Sequence, residues 1–218
     1  MLCRETHISD GLPSSQLKVQ TSLNYHDGLG REIQKKVAAE PGPLVDGGPV
    51  VEERWVGSGW TVFNNKGKPV RRFEPFFDDN PAFRFDHRVG VATTLLYDPL
   101  QRVVATLHPN RTWEKVVFDA WTQTRWDAND TVLIDHPEDD PDVGGLLLPV
   151  ARERFLPTWY AQRHEGALGA AEQAAAQQAA LHAATPSTVH VDAAGRSFLS
   201  IARNRFDGPD GPVDEELG

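Results

Sequence analysis

His26, Asp27 and Arg31 stand within the seven residues HDGLGRE, at the end of an alternating apolar stretch. An imidazole beside a carboxylate suggests a general base, and Gly28-Leu29-Gly30 suggests a phosphate cradle. Spacing weighs against both. Neighbouring residues of a strand and turn point different ways, and no partner nucleophile is identifiable. The third glycine of a dinucleotide loop would be Ile33, and Pro41 leaves no room for the helix that should follow. A second candidate is the acidic run IDHPEDDPDVGG, in which Asp140, Asp142 and Gly144 begin like an oxygen cage for calcium. An EF-hand loop ends on a bidentate Glu at its twelfth position, and Ala151 stands there, so solvated charge is expected instead.

The eight histidines are scattered, with neither an H-E-x-x-H nor an i, i+4 pair to hold zinc. In VGSGW the serine falls in the wrong register for a nucleophile elbow. The six tryptophans could stack on sugars, although most lie in or beside alternating runs where packing between strands is the default. No catalytic, cofactor-binding or metal-binding residue is therefore assigned.

Repetition explains the same residues better. Leu17, Val19, Thr21, Leu23 and Tyr25 share one parity, the mark of a half-buried strand, and lead into HDGLGR. Val89, Val91, Thr93, Leu95 and Tyr97 do the same into DPLQR, VHV into DAAGR, and WTVF into NNKGK. Aligned, the copies read Asp or Asn, two free positions, Gly, then a cation. They comprise Asp27, Gly30 and Arg31; Asn64, Gly67 and Lys68; Asp98 and Arg102; and Asp192, Gly195 and Arg196. The acid or amide can accept bonds from amides just downstream, and Gly takes a positive φ. Gln101 replaces Gly in one copy, which predicts a different turn type there. An aromatic precedes the acid at Phe63, Tyr97, Phe118 and Trp126, and His26 fills that slot in the first copy. FDAWTQ and WDANDT keep the aromatic–Asp start and lose the Gly-Arg end. The cation is expected to pair with an Asp of a neighbouring hairpin.

A repeated strand–turn–strand unit predicts an all-β fold, hairpins stacked into a spiralling antiparallel sheet. We expect an irregular lead-in at 1–16, repeat sheet at 17–134, and an acidic loop with a helical insertion at 135–186. A further strand pair and tail follow at 187–218. The Ala-rich run Ala170 to Ala184 is the one predicted helix, with Pro186 soon after it. It has little but Ala and Leu181 to pack with.

The composition fits. The 218 residues are 39% apolar and 24% charged, with 18 Gly and 16 Pro, as expected of a turn-rich globular protein. A net charge of −9 argues against a general nucleic-acid or anionic-membrane surface. Cys3 alone allows no intrachain disulfide or cysteine zinc cluster. No signal-peptide core and no apolar run of membrane-spanning length is present.

The strings YHDGLGRE, YDPLQRVVATLHPN and VDAAGRSFLSIARN resemble Rhs/YD repeats. Longer strings, RWVGSGWTVFNNKGKPVRRFEPFF, VVATLHPNRTWEKVVFDAW, DPDVGG and LPTWYAQRHEGALG, resemble the B component of bacterial insecticidal toxin complexes and related SpvB/TcaC-type Rhs proteins. The resemblance runs from about Thr21 onward. It implies a structural, non-enzymatic virulence role: a segment of a hollow β-shell that encloses and protects a toxic effector. Its implied partners are the rest of the shell, a C component carrying the effector, and a channel-forming A component. It implies assembly in the bacterial cytoplasm and then secretion, with no nucleic acid, no direct membrane contact and no cofactor. The family's self-cleaving aspartates lie in the partner component, and FDGPDGPVDEELG does not match them. Family members are several-fold longer, so the chain is expected to be a fragment or the product of a split gene. The alternative is a stand-alone β-rich module that binds carbohydrate or protein through exposed tryptophans; a metal-dependent hydrolase built on the acidic loop is weaker still.

Overall fold

The computed structural model describes residues 2–4, 19–208 and 211–218. Most of the expected lead-in, and the expected strand start at Leu17, lie outside the described residues. The chain divides into two compact units, Met1–Ala92 and Thr93–Gly218.

In the first unit the strands are β1 (Leu2–Arg4), β2 (Val19–His26), β3 (Glu32–Ala39), β4 (Gly42–Pro43), β5 (Val50–Val51), β6 (Arg54–Gly57), β7 (Thr61–Phe63), β8 (Pro69–Phe73) and β9 (Phe76–Asp78). An antiparallel sheet runs in the order β1-β2-β3-β6-β9, while β7 and β8 form a hairpin and β4 and β5 a short pair. Lys36, on the central strand β3, is wholly buried. Its ammonium donates to Asp78 Oδ2 at 2.5 Å and to the Asn80 carbonyl at 2.6 Å. Arg84 grips the same carboxylate from the other side, Nε to Oδ2 at 2.8 Å and Nη2 to Oδ1 at 2.7 Å. Buried Gln34 exchanges hydrogen bonds with the Arg84 backbone. A loop is thus pinned to the sheet by charge, because buried Lys36 and Asp78 satisfy one another where water is excluded and half-exposed Arg84 closes over the carboxylate.

The second unit is a meander in chain order: β10 (Ala92–Tyr97), β11 (Val103–Leu107), β12 (Trp113–Phe118), β13 (Thr122–Trp126), β14 (Ser187–Val191), β15 (Ser197–Gly208) and β16 (Gly211–Leu217). Every neighbouring pair is antiparallel. β13 and β14 pair directly, Thr122 opposite His190, so residues 127–186 leave the sheet and return to the same place. This excursion holds two 3₁₀ turns, Pro137–Asp139 and Arg152–Arg154, and two helices, α1 (Gly144–Leu147) and α2 (Ala170–Leu181). Its neck is tied by buried Asp130, which accepts Thr185 N at 2.8 Å and Asp127 N at 2.8 Å and receives Ala184 N on its carbonyl at 3.1 Å. Burial pushes the Asp130 carboxyl above its ordinary range despite these bonds.

The core joins sheet and insertion: Val104, Ala105, Leu107 and Trp113 pack on Val143, Leu147 and Phe155. α2 stops at Leu181, short of the predicted Ala184, because Ala184 turns left-handed with φ 57°. Only Ala176 of α2 is fully buried, as its Ala-rich face dictates. No helix among the described residues is long and apolar enough to cross a membrane.

Burial pushes the Asp78 carboxyl up, but the Arg84 and Lys36 bonds and charges outweigh it and hold the group well below the carboxylate range. A depressed folded pKa contributes stability above the unfolded value, about 3.9, and loses it as pH falls further. The stability gap between wild type and Asp78→Asn, measured by urea unfolding, should therefore be constant above about pH 5 and close below about pH 4.

Candidate functional site

The repeated turn is the site that the sequence singles out, and its backbone is the same in every copy. Asp27 N donates to Arg31 O at 2.9 Å and Gly30 N to Asp27 O at 3.0 Å. The matching pairs are Asn64 with Lys68 (2.8 Å), Asp98 with Arg102 (3.0 Å) and Asp192 with Arg196 (2.9 Å). Gly30, Gly67 and Gly195 have φ of 76°, 76° and 74°. A three-residue loop closed by a left-handed residue, with the strand bulging there, is a hairpin whose twist suits the sheet.

Gln101 corrects one expectation. It takes φ 65°, and its N–H reaches Asp98 O at 2.9 Å, so its turn is the same type as the others. A side chain sits where glycine is preferred, and the surrounding bonds hold it there.

The acid organises the loop. Asp27 Oδ1 accepts from Leu29 N at 2.8 Å and Arg31 N at 3.0 Å, while Oδ2 takes Arg31 Nε at 2.6 Å. Asp192 repeats this with Ala194 N, Arg196 N and Arg196 Nε at 2.9, 3.0 and 2.9 Å. Asp98 binds Arg102 N at 2.9 Å and Nε at 2.7 Å. Asn64 accepts Lys66 N and Lys68 N, both at 2.9 Å. Each arginine therefore pairs with the aspartate of its own turn, not with that of a neighbouring hairpin: four residues apart across a tight loop, the two are already in reach. The Arg31 amide, chiefly, lowers the Asp27 pKa, and the Arg196 amide does so for Asp192. At Asp98 burial opposes the shift, but the Arg102 amide and guanidinium prevail.

Two further features recur that sequence reading missed. First, each copy carries a bulge just past the turn. The register slips between Tyr25 and His26, Val62 and Phe63, Leu96 and Tyr97, and His190 and Val191. The extra residues opposite are Ile33, Val70, Val104 and Phe198, always apolar and always two after the cation. Second, the guanidinium lies over an aromatic slot residue of another turn: Arg31 over Phe63 at 5.0 Å and Arg102 over Phe118 at 4.0 Å. A fifth turn, His108 to Thr112, has the same backbone bonds (2.9 and 3.0 Å) with Arg111 at φ 69°, but no bulge follows it. Its sequence signal is Pro109, which fills the second turn position as Pro99 does.

At the shortened copies, Asp119 N donates to Thr122 O, a tighter loop, and Asp127 caps the turns that open the insertion. Asp27, the neighbour of His26, is bound to its own turn.

The acidic loop also departs from expectation. Asp140 is buried rather than solvated, and Lys115 Nζ sits between Asp140 Oδ2 and Asp142 Oδ2, each at 2.7 Å. Asp140 Oδ1 accepts Asp142 N at 3.0 Å and Val143 N at 3.1 Å. Burial alone would lower the Lys115 pKa, but the bonds and charges of the two carboxylates outweigh it and raise the group. The Trp126 ring covers Lys115 at 4.9 Å. The cation these carboxylates hold is thus a lysine. Among the described residues no group of three or more His, Cys, Asp or Glu is placed to hold a metal ion. Of the six tryptophans only Trp121 is exposed, at 58%.

No protein-family model matches the chain, and no curated protein does. Solved structures do. A TcdB2-TccC3 crystal structure matches over 93% of this chain with a TM-score of 0.59 at 19% identity. The Photorhabdus luminescens Tc holotoxin pore matches over 92%, with a TM-score of 0.58 at 20% identity. A TcdB2-TccC3-Cdc42 complex matches over 92%, with 0.59 at 18%. This chain spans 8% of the length of each of those chains. The likeness is one of fold, mostly antiparallel β with a helical insertion.

Gln101→Gly should raise stability by about 1 kcal/mol, read as a higher Tm, because it removes left-handed strain at some cost in chain entropy. Lys115→Ala should cost about 3–5 kcal/mol in urea unfolding by stranding the buried Asp140 charge, and Asp142→Asn, on the exposed side, much less.

Proposed function

We propose that the chain is a structural segment of an Rhs-type hollow β-shell that encloses and protects a toxic effector polypeptide in a bacterial toxin complex. The observation that carries this reading is the hairpin unit written four times with one geometry: aspartate- or asparagine-centred turn, then apolar bulge. A bulge at the same place in each of these four hairpins adds the same increment of twist each time, and equal increments make a sheet curl. The match of fold to TcdB2-TccC3 chains supports the reading.

On this reading the chain works by exclusion and not by bond chemistry. The aspartates that the sequence offers as candidates for acid, base or ligand are engaged in turns and ion pairs, which supports a structural use for them. Its partners would be the remaining shell, a C component bearing the effector, and a channel-forming A component. It would meet neither nucleic acid nor membrane directly, and it would be secreted with the assembled complex.

The test is protease protection. Where the chain is produced with its native assembly, the enclosed polypeptide should resist added protease. Changing Asp27, Asp98 and Asp192 together to Ala should shorten that protection severalfold. The Asn versions, for which Asn64 is the natural precedent, should keep most of it. Unchanged protection in the Ala variant, or no protected polypeptide at all, would sink the proposal.

A further inference from the structure

The four hairpin units are alike in backbone, yet the one at Asp192 lacks the ring that covers the arginine of the other two Asp–Arg turns and the cover that the other three bulge residues have. Arg31 and Arg102 are held flat by their own aspartates and covered by Phe63 and Phe118, leaving their side chains 35% and 42% exposed. Arg196 is held in the same way, Nε at 2.9 Å and Nη2 at 2.8 Å from Asp192 Oδ2, but no ring among the described residues covers it and it is 80% exposed. The bulge residue tells the same story. Ile33 and Val70 are half-buried, and Val104 is buried against Val143 and Leu146 of the insertion. Phe198, the equivalent residue, is 69% exposed.

The covered copies state the chemistry of the missing cover. Both rings that lie on the arginine of a repeat turn, Phe63 and Phe118, stand immediately before the Asn or Asp that opens another turn, Asn64 and Asp119. We infer that Arg196 and Phe198 form a docking site for a further hairpin of this kind, on a neighbouring polypeptide segment. That hairpin carries an aromatic residue directly before the Asp or Asn of its turn. The ring lies on the Arg196 guanidinium, and apolar side chains close over Phe198. The site is pre-organised, because two guanidinium nitrogens held on Asp192 Oδ2 have already fixed the plane on which the ring stacks. An exposed, oriented guanidinium beside an exposed phenyl ring favours an aromatic partner over an acidic one, since Asp192 already neutralises the charge. The inference concerns how hairpins join and holds whether or not the assembly encloses an effector.

The experiment places the photo-cross-linking residue p-benzoylphenylalanine at position 198 in the full chain, made in its native cells, and maps the cross-link by mass spectrometry. The expected product joins position 198 to a segment with an aromatic residue directly before Asp or Asn. Arg196→Lys keeps the charge and the Asp192 pair but loses the flat face. It should cut the cross-link roughly fivefold while leaving the Tm of the isolated chain unchanged. A cross-link to a segment without that dipeptide, no cross-link, or a yield indifferent to Arg196→Lys would overturn the assignment. A cross-link into an enclosed, turnless polypeptide would do so too while leaving the encapsulation reading intact.

Discussion

One carboxylate organises each aspartate-centred hairpin. Oδ1 of Asp27 or Asp192 accepts two backbone amides of the loop it begins, and Oδ2 grips the arginine that ends it. The loop would otherwise leave those amides to water and the arginine to many rotamers. With them fixed, the residue before the arginine is driven left-handed, and the strand restarts at a defined angle. Strength is not the point, since exposed ion pairs contribute little. What the contact supplies is direction, and the bulge and the arginine–ring stack both inherit it.

Direction alone does not hold a sheet to its loops. That task falls to two buried lysines: Lys36 meets Asp78 at the end of β9 and the Asn80 carbonyl of the loop beyond it, and Lys115 meets Asp140 of the insertion. Losing either partner would strand a charge in low dielectric, so the loop that follows Asp78 and the loop that carries Asp140 are fixed more specifically than apolar packing would fix them. In the second unit the same loop then delivers Val143 and Leu147 to the core. The insertion is therefore part of the fold that it interrupts.

A protein built this way spends its acidic side chains on structure. The carboxylates of its turns and lysine clasps are satisfied within the fold, and its conspicuous residues recur because geometry recurs. The segment matching TcdB2-TccC3 chains accounts for 8% of their length.

Much of this was legible in the sequence. Period-two alternation marked the strands, Asp-x-x-Gly-Arg marked the turns, and the Ala-rich run marked α2, because each depends on residues a few positions apart. Gln101 shows the limit: its type argued for another turn, but the bonds at both ends of the loop overrode the preference of one residue. Arg31 and Arg102 show it again, since a cation's partner within its own loop looks no different in sequence from one across the sheet. The Lys115 clasp joins residues 25 and 27 positions apart, and the Lys36 clasp residues 42 apart. Local spacing fixes which elements form, since their bonds are short-range. Which charges are buried together, and which arginine finds a ring, is decided only when distant strands come into register.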